Sequence, residues 1–238
     1  MIENFKSKYI KNLFFYHIYR YFKYQFRYFK AFGATGEDVL LNKIFKNKKG
    51  FYIDVGALHP VNGSLTYHLY KRGWNGLNFD IVEKNIRLFK FFRRRDHSLR
   101  VAISSNSGFT KSYIFSSGSG LNTLEKSWAE KWSKSIGRYK IEKLKKAKLS
   151  DVIKNLNIKR NIELLNIDVE GHESKVLQGI NFDLLRPKII TVEIHVEKTK
   201  DILKTKTYKI LQKNKYDLIS HYYHTSFFKA REFKILSL

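Results

Sequence analysis

The sequence predicts an α/β fold: a doubly wound, mostly parallel sheet with helices on both faces. Three observations carry this. From about residue 50, short apolar runs alternate with segments of helical periodicity. Aspartates stand where three of those runs end, at Asp54, Asp80 and Asp168. Two strand-like runs joined by a short turn close the chain, which implies a terminal antiparallel hairpin on an otherwise parallel sheet. At 238 residues one core and one domain are expected over residues 35–238, preceded by a distinct segment over 1–34.

Taken in order, residues 2–32 alternate aromatic residues (Phe14, Phe15, Tyr16, Tyr21, Phe22, Phe26, Tyr28, Phe29) with Lys11, Arg20, Lys23, Arg27 and Lys30. The spacing is compatible with a basic, aromatic helical extension. Such a helix suits an anionic membrane surface, stacking along a nucleic-acid strand, or cover for the core and a homodimer contact. Glu37 and Asp38 then open a helix, as its dipole prefers. Phe51, Ile53 and Val55 supply a buried strand that ends at Asp54, and Gly56 and Ala57 let the backbone pass close to a bulky neighbour. A crossover helix over 64–72 closes at Gly73. A second strand over 76–80 ends at Asp80, a helix spans 85–94, and a third strand covers 99–103. This rhythm predicts right-handed crossovers.

The middle is less regular. Tyr113, Ile114 and Phe115 fit an extra strand, residues 116–120 are a Ser/Gly run, and an insert or lid of helical character extends to 148. Trp128 and Trp132, at helical spacing, either pack that insert onto the body or line a substrate pocket. The alternation then resumes with a helix over 149–156, a strand over 162–167, a helix over 172–179, a strand over 188–194 and a helix over 201–214. Runs over 216–220 and 225–229 form the closing hairpin.

Composition narrows the chemistry. There are no cysteines, which excludes disulfides, thiolate zinc sites and cysteine nucleophiles, and fits a reducing compartment. No apolar run approaches the roughly 20 residues of a membrane span, and no signal-peptide core appears, so a cytoplasmic location is expected, with peripheral contact at the membrane's cytoplasmic face through residues 1–32. The net charge of +25, from 46 Lys+Arg against 21 Asp+Glu, favours phosphate-rich or anionic partners. Biased coding composition is the bland source of the same excess.

In a parallel sheet the strand ends share one edge, so Asp54, Asp80 and Asp168 are expected to face a common crevice; helix capping is the structural alternative. The turn after Asp54 lacks the three-glycine dinucleotide fingerprint, which argues against a nicotinamide enzyme and leaves room for S-adenosylmethionine. The richest cluster is Ile167-Asp168-Val169-Glu170-Gly171-His172-Glu173, which Glu193 and His195 join from the next strand end. Carboxylates beside imidazoles suit removal of a hydroxyl proton. They equally suit a hard divalent cation such as magnesium, held by Asp168 and Glu193.

The segments Gly50-Phe-Tyr-Ile-Asp-Val-Gly-Ala-Leu-His-Pro60, Tyr70-Lys-Arg-Gly-Trp-Asn-Gly-Leu-Asn-Phe-Asp80 and Ile167-Asp-Val-Glu-Gly-His-Glu173 together resemble the FkbM-type methyltransferase family, as do Gly36-Glu-Asp38 and Gly120-Leu-Asn-Thr123. The resemblance covers roughly residues 35–195. It implies a class I, Rossmann-like S-adenosylmethionine fold whose seven-stranded sheet has a reversed last strand. It also implies that Asp54, Gly56 and Ala57 approach the methionine moiety, that Asp80 binds the ribose, and that Ala102, Ile103 and Ser104 flank the adenine. Asp168 and Glu170 would lie beside the transferred methyl, with His172 near the substrate and His172 or His195 as the base. One departure is Asp80-Ile81-Val82-Glu83, where relatives usually carry a proline-containing turn. The activity expected on these grounds is O-methylation of a sugar hydroxyl in polysaccharide, glycan or glycolipid biosynthesis. Methylation of nucleic acid and a non-catalytic, membrane-associated scaffold are the alternatives.

Overall fold

The computed structural model describes residues 31–46 and 48–235. The basic N-terminal extension therefore lies outside the described residues up to position 30. Helix α1 (Asp38–Ile44) leads into strand β1 (Phe51–Val55), followed by α2 (Tyr67–Lys71), β2 (Asn75–Asp80), α3 (Glu83–Phe92) and β3 (His97–Arg100). Next come β4 (Ala102–Ile103), β5 (Gly108–Ile114), α4 (Lys126–Ile136), β6 (Lys140–Ala147), α5 (Leu149–Asn155), β7 (Leu164–Ile167), α6 (Glu173–Gln178) and β8 (Ile189–Glu193). A 3-10 turn (Thr199–Lys204), α7 (Lys206–Lys213), β9 (Tyr216–Tyr222) and β10 (Thr225–Ala230) complete the domain.

The main sheet has seven strands in the order β3-β2-β1-β7-β8-β10-β9. Strands β3, β2, β1, β7 and β8 run parallel, and β10 runs antiparallel to both neighbours. The strand order reverses between β1 and β7, and ligands of open α/β sheets bind beyond the strand ends at such a point. Strand alternation decides which side chains fill which core. Phe51, Ile53 and Val55 face one layer with Leu149 and Ile153 of α5, Val176 and Leu177 of α6, and Leu211 of α7. Tyr52 and Leu164 face the other, with Leu41 and Ile44 of α1, Leu69 of α2 and Trp74.

A polar row crosses this second face near the strand ends. Thr191 Oγ1 donates to Asn166 Oδ1 (2.8 Å), and Asn166 Nδ2 donates to Asp54 Oδ1 (2.9 Å). Thr66 Oγ1 donates to Asp54 Oδ2 (2.7 Å) and accepts from the buried Arg93 guanidinium (2.7 Å). The row follows strand register, because Asp54 pairs with Asn166 and Asn166 with Thr191.

The insert departs from its expected helical character. Only α4 is helical, and β6 pairs antiparallel with β5 and parallel with β4 in a separate three-stranded sheet. Ile141, Leu144 and Ala147, three apart among polar residues, read as a helix face, but the segment pairs as a strand with β4 and β5. The expected third strand over 99–103 is divided, since Arg100 still pairs in the main sheet whereas Ala102 pairs with β6. The first crossover helix is short, Tyr67–Lys71, and the segment over 201–214 splits into a 3-10 turn and α7. No helix among the described residues is long and apolar enough to cross a membrane.

Gly56 sets the closest approach in the fold. Its φ is +86°, and a Cβ there would fall 1.6 Å from the Asp168 carbonyl oxygen. Its N–H and that of Ala57 both donate to Phe79 O, while Asp168 N–H donates to Val55 O. Gly63 has a similar φ of +70° but nothing near its missing side chain. Gly56→Ala is therefore expected to lower the thermal midpoint far more than Gly63→Ala, whose cost is limited to about 1–2 kcal/mol of backbone strain. Equal midpoints by calorimetry would contradict the clash.

Candidate active site

A cleft with a cavity volume of about 80 Å³, partly open to solvent, lies over the strand ends at the switch point. Gly56 from the β1 turn, Asp80 from the end of β2, Ala102 and Ile103 from β4, and Asp168 and Glu170 from the β7 turn all line it. Six of the residues picked out in the sequence thus converge on one cavity. Asp54 and Ala57 line an adjoining hollow on the far side of the Gly56 turn, together with Glu193. Ser104 is buried away from the cleft, with its hydroxyl 3.0 Å from His172 Nε2.

Asp54 is buried in the polar row with one protein donor on each oxygen, and it lines the adjoining hollow rather than the cleft. Asp80 differs. Its Oδ1 accepts from Val82 N (2.7 Å) and Asn85 Nδ2 (3.2 Å), and its Oδ2 accepts from Leu58 N (2.9 Å). A carboxylate oxygen takes about two donors, so Oδ2 keeps a lone pair for a ligand hydroxyl. Burial raises the Asp80 pKa to about 6 against the pull of these three bonds. The departure from the proline-containing turn leaves that geometry intact, because Val82 N–H, which a proline there would lack, is itself one of the donors.

The β7 turn gathers the carboxylates. Glu170 adopts a left-handed φ of +54° and Gly171 one of +94°. Glu173 holds this turn by accepting from Gly171 N (2.9 Å) and Val169 N (3.3 Å). Asp168 is reached by solvent from the cleft but sits deep at its base, and the desolvation there, with Glu193 facing it, pushes its pKa well up. Desolvation and mutual repulsion likewise raise Glu170 and Glu193; such a pair shares its protons as a unit. His195 Nε2 lies 3.0 Å from Glu193 Oε2 and 3.9 Å from Glu170 Oε2. Burial lowers its pKa below the ordinary histidine value, so the ring is neutral at pH 7.

Atoms of Glu170, Glu193 and His195 lie within 4.8 Å of one another, a set able to hold a divalent cation. Asp168, expected to be the partner of Glu193 in such a site, faces Glu193 but is not part of that group. His172 is committed elsewhere. Its Nδ1 lies 2.5 Å from Glu125 Oε1 and its Nε2 3.0 Å from Ser104 Oγ, and the ring is 5% exposed. The bond from His172, reinforced by Lys175 at 2.7 Å, holds the Glu125 pKa down at about 2. His172 therefore ties the start of α4 to α6 and to the residue after β4, leaving no ring nitrogen for a substrate proton.

One residue of this network, Glu125, escaped the sequence reading. Glu125 gave no signal, since its partner is 47 positions away. Thr123 Oγ1 donates to Glu170 O (2.8 Å) and steadies the left-handed turn. Trp128 stands with its ring 5.0 Å from that of His195 but lines neither the cleft nor the adjoining hollow.

Comparison with known proteins matches this geometry to a family. The family model described as "Methyltransferase FkbM domain" matches residues 54–218, and the chain belongs to that family. It thereby belongs to a methyltransferase family, and its sheet order with β10 reversed is the class I topology the resemblance implies. The chain is similar to the crystal structure of monomeric WbdD at 12% identity, covering 82% of this chain and 40% of that one, with a TM-score of 0.45. It is also similar to a TehB-like SAM-dependent methyltransferase from Corynebacterium glutamicum at 10% identity, covering 94% and 99%, with a TM-score of 0.44. A precorrin-6y C5,15-methyltransferase from Geobacter metallireducens matches at 9%, covering 82% and 85%, with a TM-score of 0.45. The chain thus spans less than half the length of the WbdD structure it matches. A search of curated proteins gives no match.

The carboxylate cluster has a stability consequence. A carboxyl whose folded pKa is raised binds more protons folded than unfolded, so stability falls as pH rises from its unfolded value through its folded one. Glu170→Gln and Glu193→Gln should each raise the thermal midpoint by about 2–4 °C at pH 8 and by little or nothing at pH 4.5. A midpoint lowered at pH 8 in both variants would count against the repulsion described here.

Proposed function

We propose that this chain transfers the methyl group of S-adenosylmethionine to a hydroxyl oxygen of a sugar, in a surface glycan, a glycolipid or a nucleotide-linked precursor. The observation that carries the reading is His195: a neutral imidazole beside two carboxylates, next to the cleft that ends the parallel strands.

The residues present suit the cofactor. The Gly56–Ala57 turn, stripped of side chain by the Asp168 carbonyl, suits the methionine portion, and the open lone pair of Asp80 suits a ribose hydroxyl. Ala102 and Ile103 offer apolar surface to the adenine. When bound, the cofactor supplies an electrophilic methyl on a sulfonium. His195 takes the acceptor hydroxyl's proton, and Glu193 and Glu170 stabilise the imidazolium that results. Asp168 and Glu170 line the cleft beside the reacting centre, while His172 and Thr123 hold the turn that presents them. Orientation accounts for much of the acceleration.

Two measurements follow. With S-adenosylhomocysteine as calorimetric probe, affinity should fall as pH drops through about 6, where Asp80 gains a proton. Asp80→Asn should bind at least tenfold more weakly and lose that dependence; unaltered affinity would remove the ribose assignment. With labelled S-adenosylmethionine and a panel of nucleotide sugars and polysaccharides, His195→Gln should lower kcat by about 10²–10⁴-fold with cofactor affinity retained. At saturating cofactor, the wild-type rate should rise with pH through an apparent pKa below 6.5. Activity lost in EDTA and restored by magnesium would instead make Glu170, Glu193 and His195 metal ligands. Transfer only to RNA, in a protein that binds cofactor, would overturn the sugar reading.

A further inference from the structure

Eight side-chain polar atoms among the described residues are buried without a hydrogen-bond partner, and five belong to one contiguous group. They are Trp128 Nε1, Trp132 Nε1, Glu170 Oε2, Glu193 Oε2 and His224 Nδ1, where Glu193 Oε2 has only the His195 ring 3.0 Å away and the Trp128 indole faces Glu170. Ring contacts connect them: Trp132 lies 6.4 Å from Trp128, Trp128 lies 5.0 Å from His195, and His195 lies 4.4 Å from His224. Tyr223, 67% exposed, continues the line 4.2 Å from His224. The His224 carbonyl accepts from Ile194 N (2.8 Å), which pins the β9–β10 turn against the end of β8.

Buried polar groups left unpaired are costly, and native folds keep few of them. Here the orphans are of both kinds. The indole N–H groups only donate, and the unprotonated oxygens of the Glu170–Glu193 pair accept. A hydroxyl both donates and accepts, so a ligand with several hydroxyls on a rigid ring can bridge the indoles to the glutamates, while its C–H face lies on aromatic rings. Lys131 stands over the two indoles at 5.2 and 5.6 Å, so an anionic substituent on the ligand would meet it there.

We propose that Trp128, Trp132 and His224 form the acceptor subsite of this enzyme, that the occupant is a pyranose ring, and that α4 moves to admit it. The inference deepens the sugar-methylation reading and rests on it. It places the acceptor between α4 and the β9–β10 turn, with one hydroxyl directed at His195. Because the orphaned atoms are out of reach of solvent, the structure corresponds to the closed arrangement, and α4 is the element that opens. The anchor at its start is the Glu125 contact with His172 and Lys175.

The chain has three tryptophans, and Trp74 is fully buried in the core, which gives the test an internal reference. Protein labelled with 5-fluorotryptophan and saturated with S-adenosylhomocysteine is titrated with an equimolar mixture of methyl gluco-, galacto-, manno-, fuco- and rhamnopyranosides. The expected result is a saturable shift of the Trp128 and Trp132 fluorine signals with Trp74 unmoved, each signal assigned by Trp→Phe substitution. Trp132→Phe and His224→Ala should weaken that response about tenfold, with S-adenosylhomocysteine affinity unchanged. Signals that stay still for every pyranoside overturn the subsite, as does an unweakened response in both variants. Sugar methylation that proceeds while the signals stay still leaves the activity standing and removes only the subsite; no binding of S-adenosylhomocysteine would remove both.

Discussion

The polar row centred on Asp54 is the interaction on which the rest of the site depends. A carboxylate buried between β2 and β7 is costly unless its oxygens are bonded, and here Thr66 and Asn166 satisfy them. Each of these is held in turn, Thr66 by Arg93 and Asn166 by Thr191. Strand register is strongly specified where partners are so few, since a one-residue slip would turn every member to the opposite face. With β1 and β7 locked in phase, the Gly56 turn meets the Asp168 carbonyl, and the cleft follows.

That rigidity contrasts with the chemistry beside it. The row is fully paired, whereas the carboxylates of the β7 turn repel one another and leave oxygens unbonded. Functional sites commonly hold such unfavourable arrangements against a well-packed frame. Here the frame is specific: Glu173 bonds the turn from below, Thr123 bonds it from the insert, and β8 delivers Glu193 from the side. A turn so over-determined can keep Glu170 in a left-handed conformation.

The insert is where local pattern and tertiary structure part. Residues 140–147 become a strand because β5 and β4 offer edges on both sides, and partners outweigh weak local propensity. The result changes what α4 can do. A wholly helical lid would pack as one body, but α4 is followed by Gly137 at a φ of +98° and then by a strand anchored elsewhere. Trp128 and Trp132 therefore reach the strand ends from an element tied to the body at its start and to a small sheet at its end.

By itself, the sequence determined the sheet, its reversed last strand and the strand-end position of Asp54, Asp80, Asp168 and Glu193. Apolar periodicity and punctuation by glycine are local signals that survive without three-dimensional context. Motif resemblance supplied the family for the same reason, since those motifs are short contiguous turns. Tertiary structure alone decided which of those residues face the ligand. Asp54 and Asp80 are alike in sequence, both acids at strand ends, yet Asp54 is buried in the polar row with Asn166 and Thr66 while Asp80 lines the cleft. His172 and His195 are likewise equal candidates until Glu125 and Ser104 occupy one and leave the other in the cluster. Those distinctions rest on contacts between residues far apart in the chain, which no local pattern encodes.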